Sequence, residues 1–121
     1  MRTGTDLPIV AAGATLAQAI VEMSGKGMGM TAVVEIDGRI AGIFTDGDLR
    51  RCLDRVDAIA GTPIAAVMTR TPRTIAASRL AIDCVLLMEA PPKVSQLLVV
   101  DEAGRLVGAL HLHDLFRARV V

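Results

Sequence analysis

The stretch VVEIDGRIAGIFTDGDLRR, residues 33–51, has a second version in VVDEAGRLVGALHLHDLFR, residues 99–117, and that recurrence decides the fold. At an offset of 66 positions, Val33, Val34, Gly38, Arg39, Gly42, Asp48, Leu49 and Arg51 coincide with Val99, Val100, Gly104, Arg105, Gly108, Asp114, Leu115 and Arg117. Upstream, at an offset one residue shorter, LAQAIVEM (16–23) overlies AIDCVLLM (81–88), and Val10 overlies Ile75. Self-similarity of this kind marks a duplicated structural unit.

Each copy reads in the same way. Leu16, Ala19, Ile20 and Met23, and again Ala81, Cys84, Val85 and Met88, have the apolar spacing of one helix face. Gly25 is expected to end the first helix, because glycine tolerates the left-handed conformation there. Pro91 and Pro92 close the second. Two β-rich runs follow, TAVVEI (31–36) and RIAGIF (39–44), joined across the hairpin signal Asp37-Gly38. In the second copy QLLVVD (96–101) and RLVGAL (105–110) turn near Gly104. A short helix starts at about Asp46, and another at about Leu112.

The expected fold is therefore α/β (α+β), built from two β-α-β-β-α repeats. One copy buries too little surface to stand comfortably alone, so the two are expected to pack across their sheets. The expected boundaries are repeat one over 1–56, a linker over 57–72 in which PIAAVM (63–68) forms a short packed helix, and repeat two over 73–121.

Composition narrows the function. Apolar residues make up 52% of the 121-residue chain, yet there is no Trp, no Tyr and only Phe44 and Phe116. The interior must be aliphatic. Such an apolar fraction fits either a well-filled core or a surface buried against a partner. Thirteen basic residues balance thirteen acidic ones with no basic run, and there is little to stack on bases, so nucleic-acid binding is not expected. No apolar run reaches membrane-spanning length and the first residues lack a signal-peptide layout, so no membrane association is expected. Cys52 and Cys84 stand alone and read as buried free thiols of a cytoplasmic protein.

The chemistry concentrates in the turn after the second strand of each copy. Thr45 and Asp48 have capping-box spacing, Asp48 suits the positive end of a helix, and Arg51 forms an i,i+3 pair with it. That purely structural account is complete in itself. In the second copy, however, His111 replaces the capping Thr while Asp114 and Arg117 remain, which is odd if capping were the only purpose. A carboxylate on the first helical turn is also suited to a ribose diol, and Arg51 or Arg117 to a phosphate. Gly42 and Gly47 are read as letting a ligand approach the backbone. Met28 and Met30 in GKGMGM (25–30) read as core residues, and Met30 and Thr31 are also candidate contacts for the base of a bound nucleotide. His111 and His113 beside Asp114 form an H-x-H-D cluster, but the two rings diverge at i,i+2 and no metal site is assigned.

Gly-apolar-apolar-Thr-x-x-Asp after a helix-strand-strand unit, with a second copy in which His111 stands in the Thr position, resembles the motif of paired CBS domains, often called a Bateman module. The resemblance implies a pseudo-twofold pair of β-α-β-β-α repeats with two clefts that commonly bind adenosyl compounds. It implies Thr45 as a phosphate contact and Asp48 as a ribose contact in the first cleft, with Asp114 matching in the second and His111 departing from the usual Ser or Thr. A narrower resemblance joins GMGMTAVVEIDGRIAGIFTDGDLRR with the ending GRLVGALHLHDLFRARVV. It is to the tail of arabinose-5-phosphate isomerases, which serve the pathway to the lipopolysaccharide sugar Kdo and carry a sugar-isomerase (SIS) domain before a CBS pair. MRTGTDLPIV resembles VMTRTPRTI (67–75), which makes Met1 an internal methionine of a longer protein.

The resemblance implies a non-catalytic regulatory piece without catalytic residues or cofactor. Its expected ligand is a nucleotide or nucleotide-sugar (AMP, ATP or CMP-Kdo), and its expected partners are its own SIS domain and a second copy in a homodimer. A structural dimerisation module with empty clefts is the alternative.

Overall fold

A computed structural model of the chain describes residues 3–54, 59–79 and 96–111. These form two compact units: Pro8–Thr71, and Met1–Leu7 together with Pro72–Val121.

The first unit has the order β1 (Ile9–Ala11), α1 (Leu16–Lys26), β2 (Met30–Val34), β3 (Ile40–Thr45) and α2 (Asp46–Cys52). Its three strands form one sheet with β2 in the centre, parallel to β1 and antiparallel to β3. From Met30 to Val33 every residue of β2 is buried, so this strand is a continuous run without polar alternation. Leu16, Ala19 and Met23 of α1 pack with Val33, Phe44 and Cys52 into the core, and Ile64 from the segment after α2 joins them. Glu22 holds the start of β1 from the helix side: its Oε2 accepts from the Ile9 amide at 3.0 Å and from Lys26 Nζ at 2.8 Å.

The helix ends differ from expectation in one place. Gly25 lies inside α1, and it is Gly27, at φ 64°, that ends it, its N–H donating to the Met23 carbonyl at 2.9 Å. The apolar stripe stops at Met23, so periodicity does not mark which of two nearby glycines takes the left-handed turn. At its start α1 has a capping box that the sequence reading missed. Thr15 Oγ1 accepts from Gln18 N at 3.2 Å, and Gln18 Oε1 accepts from Thr15 N at 2.9 Å.

In the second unit β4 (Thr74–Ala76), β5 (Gln96–Val100) and β6 (Leu106–His111) form a sheet of the same order and directions. The duplication extends to register. Val33 opposes Gly42 as Val99 opposes Gly108, and each hairpin shifts register at the next residue, Val34 or Val100. Val10 pairs with Val33 as Ile75 pairs with Val99, which reproduces the one-residue slip seen in the sequence. Both hairpin turns place a glycine at positive φ, Gly38 at 88° and Gly104 at 81°. The helices expected over 81–88 and from Leu112 lie outside the described residues, as does Cys84.

The segment between α2 and β4 belongs to the first unit as far as Thr71. Ile64–Ala66 is a single 3-10 turn with Ile64 fully buried. Backbone bonds fasten the segment at two points. Leu16 N donates to Thr62 O at 2.7 Å and Ile64 N to Ala14 O at 2.9 Å, while Ile43 and Thr69 exchange a pair of 2.8 Å bonds.

Candidate functional site

Thr45 ends β3 in extended backbone (φ −119°, ψ 169°) and serves as the N-cap of α2. Its Oγ1 accepts from Asp48 N at 3.2 Å, and Asp48 Oδ2 accepts from Thr45 N at 2.9 Å, which completes the expected capping box. The Thr45 hydroxyl also donates to Asp48 Oδ2 at 3.1 Å. The other carboxylate oxygen, Oδ1, accepts from Arg51 Nη2 in the expected i,i+3 ion pair. It accepts as well from Thr69 Oγ1 at 3.0 Å.

A carboxylate offers about four acceptor positions. Asp48 thus has a protein donor for each, and it is 6% exposed. A buried charge requires such pairing, since desolvation otherwise penalises the ionised form heavily. The Thr15 box on α1 is an internal control for what capping alone needs. There an exposed glutamine is sufficient, whereas at α2 the same position holds a buried anion bound by Arg51 and Thr69 in addition.

Thr69 reaches Asp48 because its backbone lies against the edge of β3 at Ile43. Gly42 makes that approach feasible. A Cβ at this glycine would sit 2.6 Å from Thr69 O and 2.8 Å from Met68 Sδ. The space read from the sequence as room for a ligand at Gly42 is therefore filled by the protein's own backbone. At Gly47 a Cβ would come within 3.3 Å of Arg51 Nη1, so that glycine borders the Arg51 side chain.

Met30 lies directly opposite Thr45 and Thr31 opposite Phe44, so the strand register does bring both to the site's level. Both are fully buried, and the Thr31 hydroxyl donates to Ala32 O at 3.2 Å. His111 ends β6 opposite Gln96, the place in the second sheet that Thr45 has in the first. His113, Asp114 and Arg117 lie outside the described residues.

A groove of about 300 Å³ runs between the C-terminal half of α1 and the start of α2, lined by Ile20, Met23, Gly29, Asp46 and Leu49 among others. Asp46 N donates to Gly29 O at 3.0 Å, which joins two of its lining residues. Nothing in the sequence spacing singled this groove out.

The CBS domain family profile matches residues 1–55 and again residues 64–121. The chain belongs to the CBS domain family. Over its whole length the pair is 47% identical to arabinose 5-phosphate isomerase KdsD of Pseudomonas aeruginosa, and 42% identical to KdsD of Yersinia pestis. The chain spans only 37% and 36% of those relatives. Among solved structures it is similar to CBSX2 in complex with AMP (TM-score 0.81, 22% identity, 99% of this chain and 92% of that one). A CBS domain protein from Pyrobaculum aerophilum complexed with AMP is also similar (TM-score 0.82, 19% identity, 95% and 85%). At these identities the likeness is one of fold.

In this CBS pair the structure brings together Thr45, Asp48 and Arg51 as the sequence suggested, and adds Thr69, which the sequence reading missed. Thr69 stands 21 positions from Asp48, with no periodic relation to it. The available signal was Gly42, a small residue in a buried strand, which marks the close approach of another backbone.

Proposed function

We propose that this CBS pair is the regulatory element of an arabinose-5-phosphate isomerase of the Kdo pathway, sensing a nucleotide or nucleotide-sugar and adjusting an attached SIS domain. The observation that carries this reading is the 47% identity to an arabinose 5-phosphate isomerase along the entire chain. AMP in two structural neighbours supports an adenylate as ligand, with ATP and CMP-Kdo as the other candidates. Asp48 is assigned to sugar hydroxyls, Thr45 and Arg51 to phosphate, Met30 and Thr31 to the border of the base, and His111, His113, Asp114 and Arg117 to the second cleft.

Binding in the first cleft works by exchange, because the Thr45 hydroxyl and both Asp48 oxygens already have partners. Arg51, whose side chain is largely exposed, is the partner most easily turned away. The setting is a cytoplasmic homodimer, in which the buried Cys52 remains a free thiol.

A thermal-shift series with AMP, ATP, CMP and CMP-Kdo tests this reading. A ligand at one hundred times its Kd adds about 2.7 kcal/mol to the folded form, a shift of several degrees. One nucleotide shifting the transition at sub-millimolar concentration supports the reading; no shift at millimolar concentration removes it. The second reading, a structural dimerisation module without ligand, is favoured by one observation: each acceptor position of Asp48 has a protein donor.

A further inference from the structure

We infer that Thr69, in the segment joining the two repeats, competes with the ligand for Asp48 and so sets the affinity of the first cleft. The inference rests on the proposed role of Asp48 as a ligand contact and adds a residue of a different kind to it. Of the four donors on Asp48, two come from Thr45, within the capping box, and one from Arg51 on the same helix. Among the described residues only Thr69 arrives from outside the β3–α2 turn, at 3.0 Å from Oδ1. Its position is fixed independently of that bond, by the paired 2.8 Å bonds with Ile43 and by the contact with Gly42. The hydroxyl is thus held against the carboxylate as an intramolecular donor, at a high effective concentration.

A sugar diol needs two acceptor positions on the carboxylate. With Oδ2 committed to the cap, those positions are on Oδ1, where Thr69 and Arg51 now donate. The Arg51 side chain is largely exposed, whereas the Thr69 backbone is pinned to β3, which keeps its hydroxyl within reach of Oδ1. Thr69 is accordingly a positioning residue that opposes binding; it is not a group that grips the ligand.

The test is isothermal titration of the 121-residue chain with AMP, ATP and CMP-Kdo, on wild type, Thr69→Val, Thr69→Ala and Thr69→Ser. Removing a hydrogen bond to a charged group frees the acceptor for the ligand and tightens binding by about tenfold. Thr69→Val and Thr69→Ala are both expected to show this gain, so either variant suffices if the other fails to fold. Thr69→Ser restores the hydroxyl and returns the wild-type affinity. Equal affinity in wild type and the Val and Ala variants overturns the inference and leaves the nucleotide-sensing reading standing. Weaker binding in those variants overturns it too, making Thr69 a direct ligand contact. If no nucleotide binds wild type or any variant at millimolar concentration, the sensing reading falls and this inference falls with it.

Discussion

Gly42 and Thr69 meet backbone to backbone, close enough that a Cβ on the glycine would lie 2.6 Å from the threonine carbonyl oxygen. Backbone cannot yield as the tip of a flexible side chain can, and Gly42 sits in a strand whose neighbours Ile43 and Phe44 are buried. Gly42→Ala is therefore expected to destabilise the first unit by about 1–3 kcal/mol through overpacking. Gly61→Ala is the control, since nothing lies within 4 Å of a Cβ there and its φ is ordinary. It should be neutral or stabilising by up to about 1 kcal/mol. Urea denaturation followed by far-UV circular dichroism reads both. Equal midpoints for the two variants would contradict the close packing at Gly42.

Two glycines separated by one residue at the end of α1 should respond in opposite directions. Gly25 is helical with open space around it, so Gly25→Ala gains about 0.5–1 kcal/mol from reduced backbone entropy and better propensity. Gly27 sits at φ 64°, where a side chain costs about 1–2 kcal/mol. Melting temperatures of Gly25→Ala and Gly27→Ala are expected to move up and down respectively. A fall at Gly25 would show that the helix ends there after all.

Glu22 makes stability depend on pH. The Lys26 ammonium that it binds, followed by the Ile9 amide, holds its carboxyl below the usual value of 4.5. Its folded-state pKa is depressed, so its contribution is fully present above the unfolded-state value. That contribution is lost as pH falls through the lowered one. Glu22→Gln should be less stable than wild type at pH 7, with the difference closing below pH 4.5 as the carboxylate is protonated. Denaturant midpoints of both proteins across pH 3–7 check this. A gap that stays constant over the range would count against the ionic contact.

Much of the architecture was legible because the chain states it twice. Val33 opposite Gly42 and Val99 opposite Gly108 are one instruction repeated, down to the register shift that follows each. Local chemistry was legible as well: Asp48 lies three positions from Thr45 and three from Arg51, each within one helical turn, where spacing maps directly onto distance. Thr69 was not, because its nearness to Asp48 comes from the path of an irregular segment, and no period connects them. The end of α1 was misplaced for a related reason. Gly25 and Gly27 are chemically identical, and only the backbone geometry of the entry into Met28 and Met30 separates them.

The attachment of residues 62–69 has a practical consequence for dissecting the chain. A first-repeat fragment cut immediately after α2 would lack Ile64 from its interior, leave the Leu16 amide without its Thr62 acceptor and bare one edge of β3 at Ile43. A fragment that runs on to Thr71, where the compact unit ends, keeps all three contacts and includes the packed PIAAVM stretch of the linker.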